Sequence, residues 1–263
     1  MNETYFVSFI SGSSGRFVCS ILWNLINDLD LELSFGKYNS AHLEAYWSLS
    51  WDLSETKGPF GMIHNIYEKF NFNLTNKPSF LNPYNKGLLN VHVYPKFDII
   101  EKRFPDTRII IVQVDDDDLE SIAKNSIRKN AFEIMESTND KPKVSPFNQD
   151  ALFAKTLYFE KYNKHYDVGE DGLLSEEDKN YIVKNYVDMS VRLNKKTKSS
   201  FINPTVPESF KNKTLILPYK DIFKKENDTF VGLSLLEKFT NTKATVNTIK
   251  TYEKYVKGNT YEN

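Results

Sequence analysis

The run Arg108-Ile109-Ile110-Ile111-Val112-Gln113-Val114 is the most continuous β-branched stretch in the chain, and it constrains the fold more than any other segment. Successive side chains of a strand point to opposite faces, so a strand that is aliphatic at nearly every position needs cover on both. Strands of this kind belong to parallel sheets joined by helices. The rest of the chain supplies the partners: Tyr5 to Ile10 and Leu88 to Val93 read as further strands, and Leu215 to Tyr219 as a last one. Helical spacing of apolar residues predicts helices over Phe17 to Leu29, Pro95 to Phe104, Leu119 to Met135, Ala151 to Asn163, Glu176 to Leu193 and Leu233 to Thr240. Shorter helices or lids are expected within Ser40 to Trp51 and Met62 to Phe70, and a polar, proline-bearing connection from Ser137 to Pro146. The fold class expected is α/β, a three-layer sandwich around a central, mainly parallel sheet. No internal repeat or heptad run interrupts the pattern, so residues 1–263 are read as one domain.

With 263 residues, 40% of them hydrophobic, the chain can bury a substantial core. The formal charge of -1 lacks the basic field that non-specific nucleic-acid binding needs, so no nucleic-acid partner is expected. Cys19 is the only cysteine, which excludes an internal disulfide and a cysteine-built zinc site; its place on an apolar helix face predicts a buried thiol. No segment approaches the roughly 20 continuous apolar residues that span a bilayer, and the N-terminus has no signal-peptide pattern. A cytoplasmic protein with no membrane association is therefore expected. The richness in Asn and Lys fits an AT-rich genome such as that of a virus, a phage or some bacteria, which would mean the host cytoplasm for a viral chain.

The stretch ISGSSGR joins the first strand to the first helix. Glycines let the backbone approach an anion, and the first helical turn offers it unpaired N–H groups. The pattern is not that of a magnesium-dependent P-loop, because Gly12 and Gly15 are too close together, Arg16 stands in place of lysine and Phe17 in place of Ser or Thr. Nor is it the dinucleotide pattern G-x-G-x-x-G. A shorter cradle remains, made by Gly12, Ser13, Ser14, Gly15, Arg16 and Phe17, in which two hydroxyls, backbone N–H groups and a guanidinium could hold an oxyanion without a metal. Ligands of parallel sheets bind beyond the carboxyl ends of the strands. That rule places this loop, His92 and the aspartates Asp115 to Asp118 along one rim.

The order of elements resembles that of the sulfotransferases that use 3'-phosphoadenosine 5'-phosphosulfate (PAPS). Ser14-Gly15 matches the family's Ser-Gly; NVHVYPKFDIIEKRFPDTRIIIVQVDDDDLESI resembles its run from a histidine-bearing strand to the strand before its phosphate-binding helix; TLILPYKDIF and SLLEKFTN resemble its late strand and helix. The chain departs from the family at Ser13, where a basic residue is usual, at Phe17, at Asn90, where a lysine precedes the histidine, and at Gln113 or Val114, where an arginine ends the third strand. The C-terminal Arg-Lys-Gly clamp is echoed by Lys257-Gly258.

The resemblance implies a P-loop NTPase-like, sulfotransferase-like topology and transfer of a sulfuryl group from PAPS to a small-molecule or glycan acceptor bearing a hydroxyl or amine. It assigns His92 as general base and Arg16 as the group that stabilises the leaving oxygens, both catalytic. Ser121 and Arg128, with Lys124, would hold the 3'-phosphate, and no metal is expected. The departures raise a first alternative, a degenerate relative acting as a non-catalytic interaction or virion-associated protein. Asp115 to Asp118 raise a second, a metal-dependent glycosyl or nucleotidyl transferase, because a strand followed by paired carboxylates suits Mg²⁺ or Mn²⁺. Aspartates at that position also cap a helix. His42, His64 and His165 show no metal-ligand spacing, and Trp47 and Trp51 read as a core stripe or the lining of a cleft.

Overall fold

The computed structural model describes residues 4–10, 12–30, 87–91, 94–103, 106–132, 135, 149–166 and 174–259. His42, Trp47, Trp51, His64 and His92, the helices expected within 40–51 and 62–70, and the connection expected at 137–146 lie outside them.

Four parallel strands form the centre: β1 (Thr4–Ser8), β2 (Gly87–Val91), β3 (Arg108–Gln113) and β4 (Thr214–Pro218), in the order β2-β1-β3-β4. Val7 is level with Asn90 on one side and Ile110 on the other, and Ile110 with Leu215. Tyr5, Phe6, Val7 and Ile109 to Val112 are all buried, as continuous aliphatic strands demand. The chain is thus an α/β protein with a parallel sheet. It leaves β1 toward β2 on one side and leaves β3 toward β4 on the other. A crevice at such a divergence is where open parallel sheets receive ligands.

Helix α1 (Gly15–Ile26) is buried nearly all round, which is why its sequence is apolar on every face, Cys19 included. Two of its polar side chains bond within the protein: Ser20 Oγ donates to the Arg16 carbonyl at 2.8 Å and Asn24 Nδ2 to Thr248 Oγ1 at 3.2 Å. After β2 comes α2 (Phe97–Arg103), and after β3 comes α3 (Asp118–Ile127), which widens into a π-turn at Arg128–Phe132. The helix expected to run to Met135 continues through that π segment to Phe132, and Met135 is helical as well. Helices α4 (Gln149–Tyr162) and α5 (Glu176–Thr197) pack with α3 around Ile127, Phe132, Met135, Ala154 and Ile182, a second apolar cluster beside the one built on the sheet. Asp150 ties the three together, accepting from Tyr186 at 2.6 Å and Ser126 at 2.8 Å. The Ser175 hydroxyl caps α5, accepting from the Asp178 N–H.

A short turn, α6 (Ser199–Ile202), follows. The Val114 N–H, just past β3, donates to the Phe201 carbonyl, and the Tyr94 hydroxyl, just past β2, donates to that of Thr205. Residues 199–206 therefore bridge the ends of the two strands that flank β1. Beyond β4, Asn227 and Asp228, both with positive φ, turn a two-residue hairpin between β5 (Lys225–Glu226) and β6 (Thr229–Phe230). Helices α7 (Val231–Thr240) and α8 (Val246–Gly258) then return to pack against α1.

Candidate anion site at the sheet switch point

The loop between β1 and α1 bends twice through the left-handed region, at Gly12 (φ 87°) and at Ser14 (φ 61°). Positive φ is costly for serine and turns successive N–H groups toward a common side. Neither glycine has room for a side chain. A Cβ on Gly12 would lie 2.3 Å from the Ile122 carbonyl oxygen of α3, and one on Gly15 would lie 1.9 Å from Phe9 Cγ. The glycines thus press the loop against α3 on one side and the Phe9 ring on the other. Ser13 is buried and its hydroxyl donates to the Ile10 carbonyl at 2.8 Å, so it holds the turn together.

Ser14 is the N-cap of α1, yet its hydroxyl makes no capping bond to the first turn. It accepts instead from the Tyr255 hydroxyl of α8 at 2.9 Å. Phe17 stacks flat on the Tyr255 ring, 3.7 Å and 3° apart, and meets Tyr252 edge-on. The first turn of α1 carries no acid, and half-buried Arg16 supplies a positive charge there. An anion at this helix end meets favourable partial charges.

The neighbouring wall is α3. Ser121 and Asn125 face the phenol of Tyr219, a buried residue just past β4, with Asn125 donating to it at 3.0 Å. Burial pushes the Tyr219, Tyr252 and Tyr255 hydroxyls above their usual range, so all three remain protonated donors at neutral pH. Lys124 pairs with Glu120 one turn away, and Arg128 is exposed at the far end of α3, about 10 Å along the helix from Ser121. Gln113, at the strand end where the resemblance expects an arginine, donates to the Ile202 carbonyl at 3.3 Å.

The acidic run is used locally. Asp118 is buried and accepts the Asp115 N–H at 2.7 Å, closing the turn that precedes α3, while the N-cap residue Asp117 makes no side-chain capping bond. Asp115 pairs with Lys220 at 2.7 Å, and Asp116 with Lys195 at 3.7 Å. Asp116, Asp117 and Glu120 open with Asp188, Arg192, Val187 and Val191 onto a cleft of about 580 Å³. Among the described residues, no three His, Cys, Asp or Glu side chains converge as a metal site.

Gly12 thus packs against Ile122 and Ser126 of α3, the helix that carries Ser121, while Arg128 is exposed at the far end of that helix. His165, read as a structural or surface residue, is exposed and stacks on Phe159. Sequence reasoning missed α8 and with it Tyr252 and Tyr255, and missed the crossing segment 199–206. Among the described residues, no helix is long and apolar enough to cross a membrane. Comparison of the chain with protein-family models, curated proteins and solved structures finds no match.

Proposed function

We propose that the chain binds a phosphorylated nucleotide at Gly12 to Phe17 and that, in keeping with its resemblance to the PAPS-dependent sulfotransferases, it transfers a sulfuryl group from that donor to a hydroxyl or amine acceptor. The observation that carries the reading is the position of the loop. It lies where the β1 and β3 connections diverge, at the start of a helix with no acid in its first turn. The residues fit a donor phosphate: the first turn of α1 and the Ser14 hydroxyl would hold its oxygens and Arg16 would neutralise charge developing on the leaving group. Ser121, on the adjoining helix α3, would meet a second phosphate of the same ligand. In this reading His92, directly after β2, takes the acceptor's proton.

A second reading, a non-catalytic relative that works through protein contacts, is favoured by one specific feature: Ser13 and Ser14 both already bond within the chain. The aspartate-based transferase has less support, since Asp115 and Asp118 already serve Lys220 and the Asp115 N–H. The discriminating experiment is the thermal shift of the purified protein with adenosine 3',5'-bisphosphate, with and without Mg²⁺, beside Arg16→Ala. A ligand at 100 times its Kd adds about 2.7 kcal/mol of stability. The donor reading expects a metal-independent rise that Arg16→Ala loses. The non-catalytic reading expects none, and the aspartate reading expects a rise only with a nucleoside diphosphate and metal.

A further inference from the structure

The anion loop is tied to the chain's last helix by one pair of hydroxyls, and the direction of that bond decides where a proton can point. Tyr255 is 1% exposed and its ring is fixed by the flat stack on Phe17 and by Phe223, stacked at 6.5 Å. Its O–H donates to Ser14 Oγ. A serine hydroxyl has one hydrogen and two lone pairs, so a bond donated into one lone pair leaves the serine's own hydrogen to be placed elsewhere.

Among the described residues, the Ser14 hydroxyl makes no other hydrogen bond, while its carbonyl accepts from the Val18 N–H at 3.0 Å. It is 7% exposed, and the usual task of an N-cap serine, accepting from the first helical turn, is not performed. A buried O–H without an acceptor costs free energy, and such groups call for an explanation. An oxyanion at the start of α1 supplies one. It would accept from Ser14 and from the helix end together, and the Tyr255 bond would strengthen the Ser14 donor by polarising it.

We infer that Tyr255 is a positioning residue that makes Ser14 a dedicated hydrogen-bond donor to a phosphate oxygen held at Gly12 to Phe17. This rests on the reading of that loop as the donor site. Tyr255 does not touch the anion; it acts through Ser14. Its burial keeps the phenol protonated, and so donating, throughout the neutral range.

The test is calorimetric titration of the full chain with adenosine 3',5'-bisphosphate and, separately, with inorganic pyrophosphate, using wild type, Tyr255→Phe, Ser14→Ala and the double variant, each first shown to be folded by its thermal melt. Loss of one neutral hydrogen bond weakens binding about five- to tenfold. That loss is expected for Ser14→Ala, with a smaller one for Tyr255→Phe, and the double variant should bind no worse than Ser14→Ala. A residue that only packs would lower the melting temperature and leave affinity unchanged, or give additive losses; either result overturns the inference while the donor reading stands. Should Tyr255→Phe not fold, Ser14→Ala decides, since it leaves the ring stack intact: wild-type affinity overturns the assignment and a loss of that size upholds it. Coupled losses with pyrophosphate but no binding of the nucleotide would uphold the Ser14–Tyr255 pair and overturn the nucleotide. Binding of neither overturns both.

Discussion

Phe9 lies across Gly15 so closely that a single added methyl would fall 1.9 Å from Phe9 Cγ. Both residues are buried, and the ring cannot yield without disturbing the core around it. Gly15 begins α1, so this contact sets how near the strand end can come to the helix start. Gly15→Ala should lower stability by about 3 kcal/mol, the upper range for overpacking a core. Urea unfolding checks it, and a change under about 0.5 kcal/mol, the size of a neutral surface substitution, would contradict the tight approach.

Gly12 should be less tolerant still. Alanine there meets a backbone carbonyl, which cannot rotate aside as a side chain can, and must also adopt φ 87°. Gly12→Ala is expected to cost at least about 3 kcal/mol and to loosen the contact of the loop with Ile122 and Ser126. Hydrogen exchange should then show faster exchange in α3 as well as in the loop.

Asp118 offers a test between closing the turn before α3 and metal binding. Asp118→Ala strands the Asp115 N–H and should cost about 1–2 kcal/mol. Asp118→Asn keeps an acceptor and should cost less. Melting of the wild type should not change with Mn²⁺ or Mg²⁺. A metal-dependent rise that Asp118→Asn abolishes would contradict that local role.

Four buried tyrosines, Tyr186, Tyr219, Tyr252 and Tyr255, have hydroxyl pKa values raised first of all by desolvation. The neutral form is the one the fold favours. Their contribution is therefore complete below the ordinary tyrosine value near 10 and is lost as pH rises above it, each removing about 1.4 kcal/mol per pH unit. Stability measured from pH 8 to 12 should be level and then fall steeply past about 10. Replacing any one by Phe should make the fall shallower, and an unchanged slope would show that the tyrosine already ionises in the folded state.

How much of this was legible in the sequence depended on side-chain type. The Ile109 to Val112 run announced a doubly covered parallel strand, and β3 is found at Arg108–Gln113. The glycine loop announced a strand-to-helix junction and α1 begins at Gly15. Helix α8 was not legible because its buried face is Thr248, Thr251, Tyr252 and Tyr255, while its aliphatic Val246 and Ile249 are exposed. An apolar period cannot reveal a helix that hides its hydroxyls. The only local signal was Thr245, whose side chain caps it by accepting from the Thr248 N–H. The pairing of Ser14 with Tyr255 spans 241 positions, and no local pattern encodes a contact of that range. Two positions singled out by resemblance differ in setting: Ser14-Gly15 stands at the start of α1, whereas Gln113 donates to the Ile202 carbonyl of the crossing segment.

The proposed donor site stands or falls with anion binding at the switch-point loop. Amide chemical-shift mapping of the isotope-labelled chain during titration with adenosine 3',5'-bisphosphate tests it most directly. Saturable shifts are expected, largest at Gly12, Gly15, Arg16 and Phe17 and extending to Ser121. Shifts centred on Asp116, Asp117 and Glu120, or no saturable shift at the loop, would contradict it.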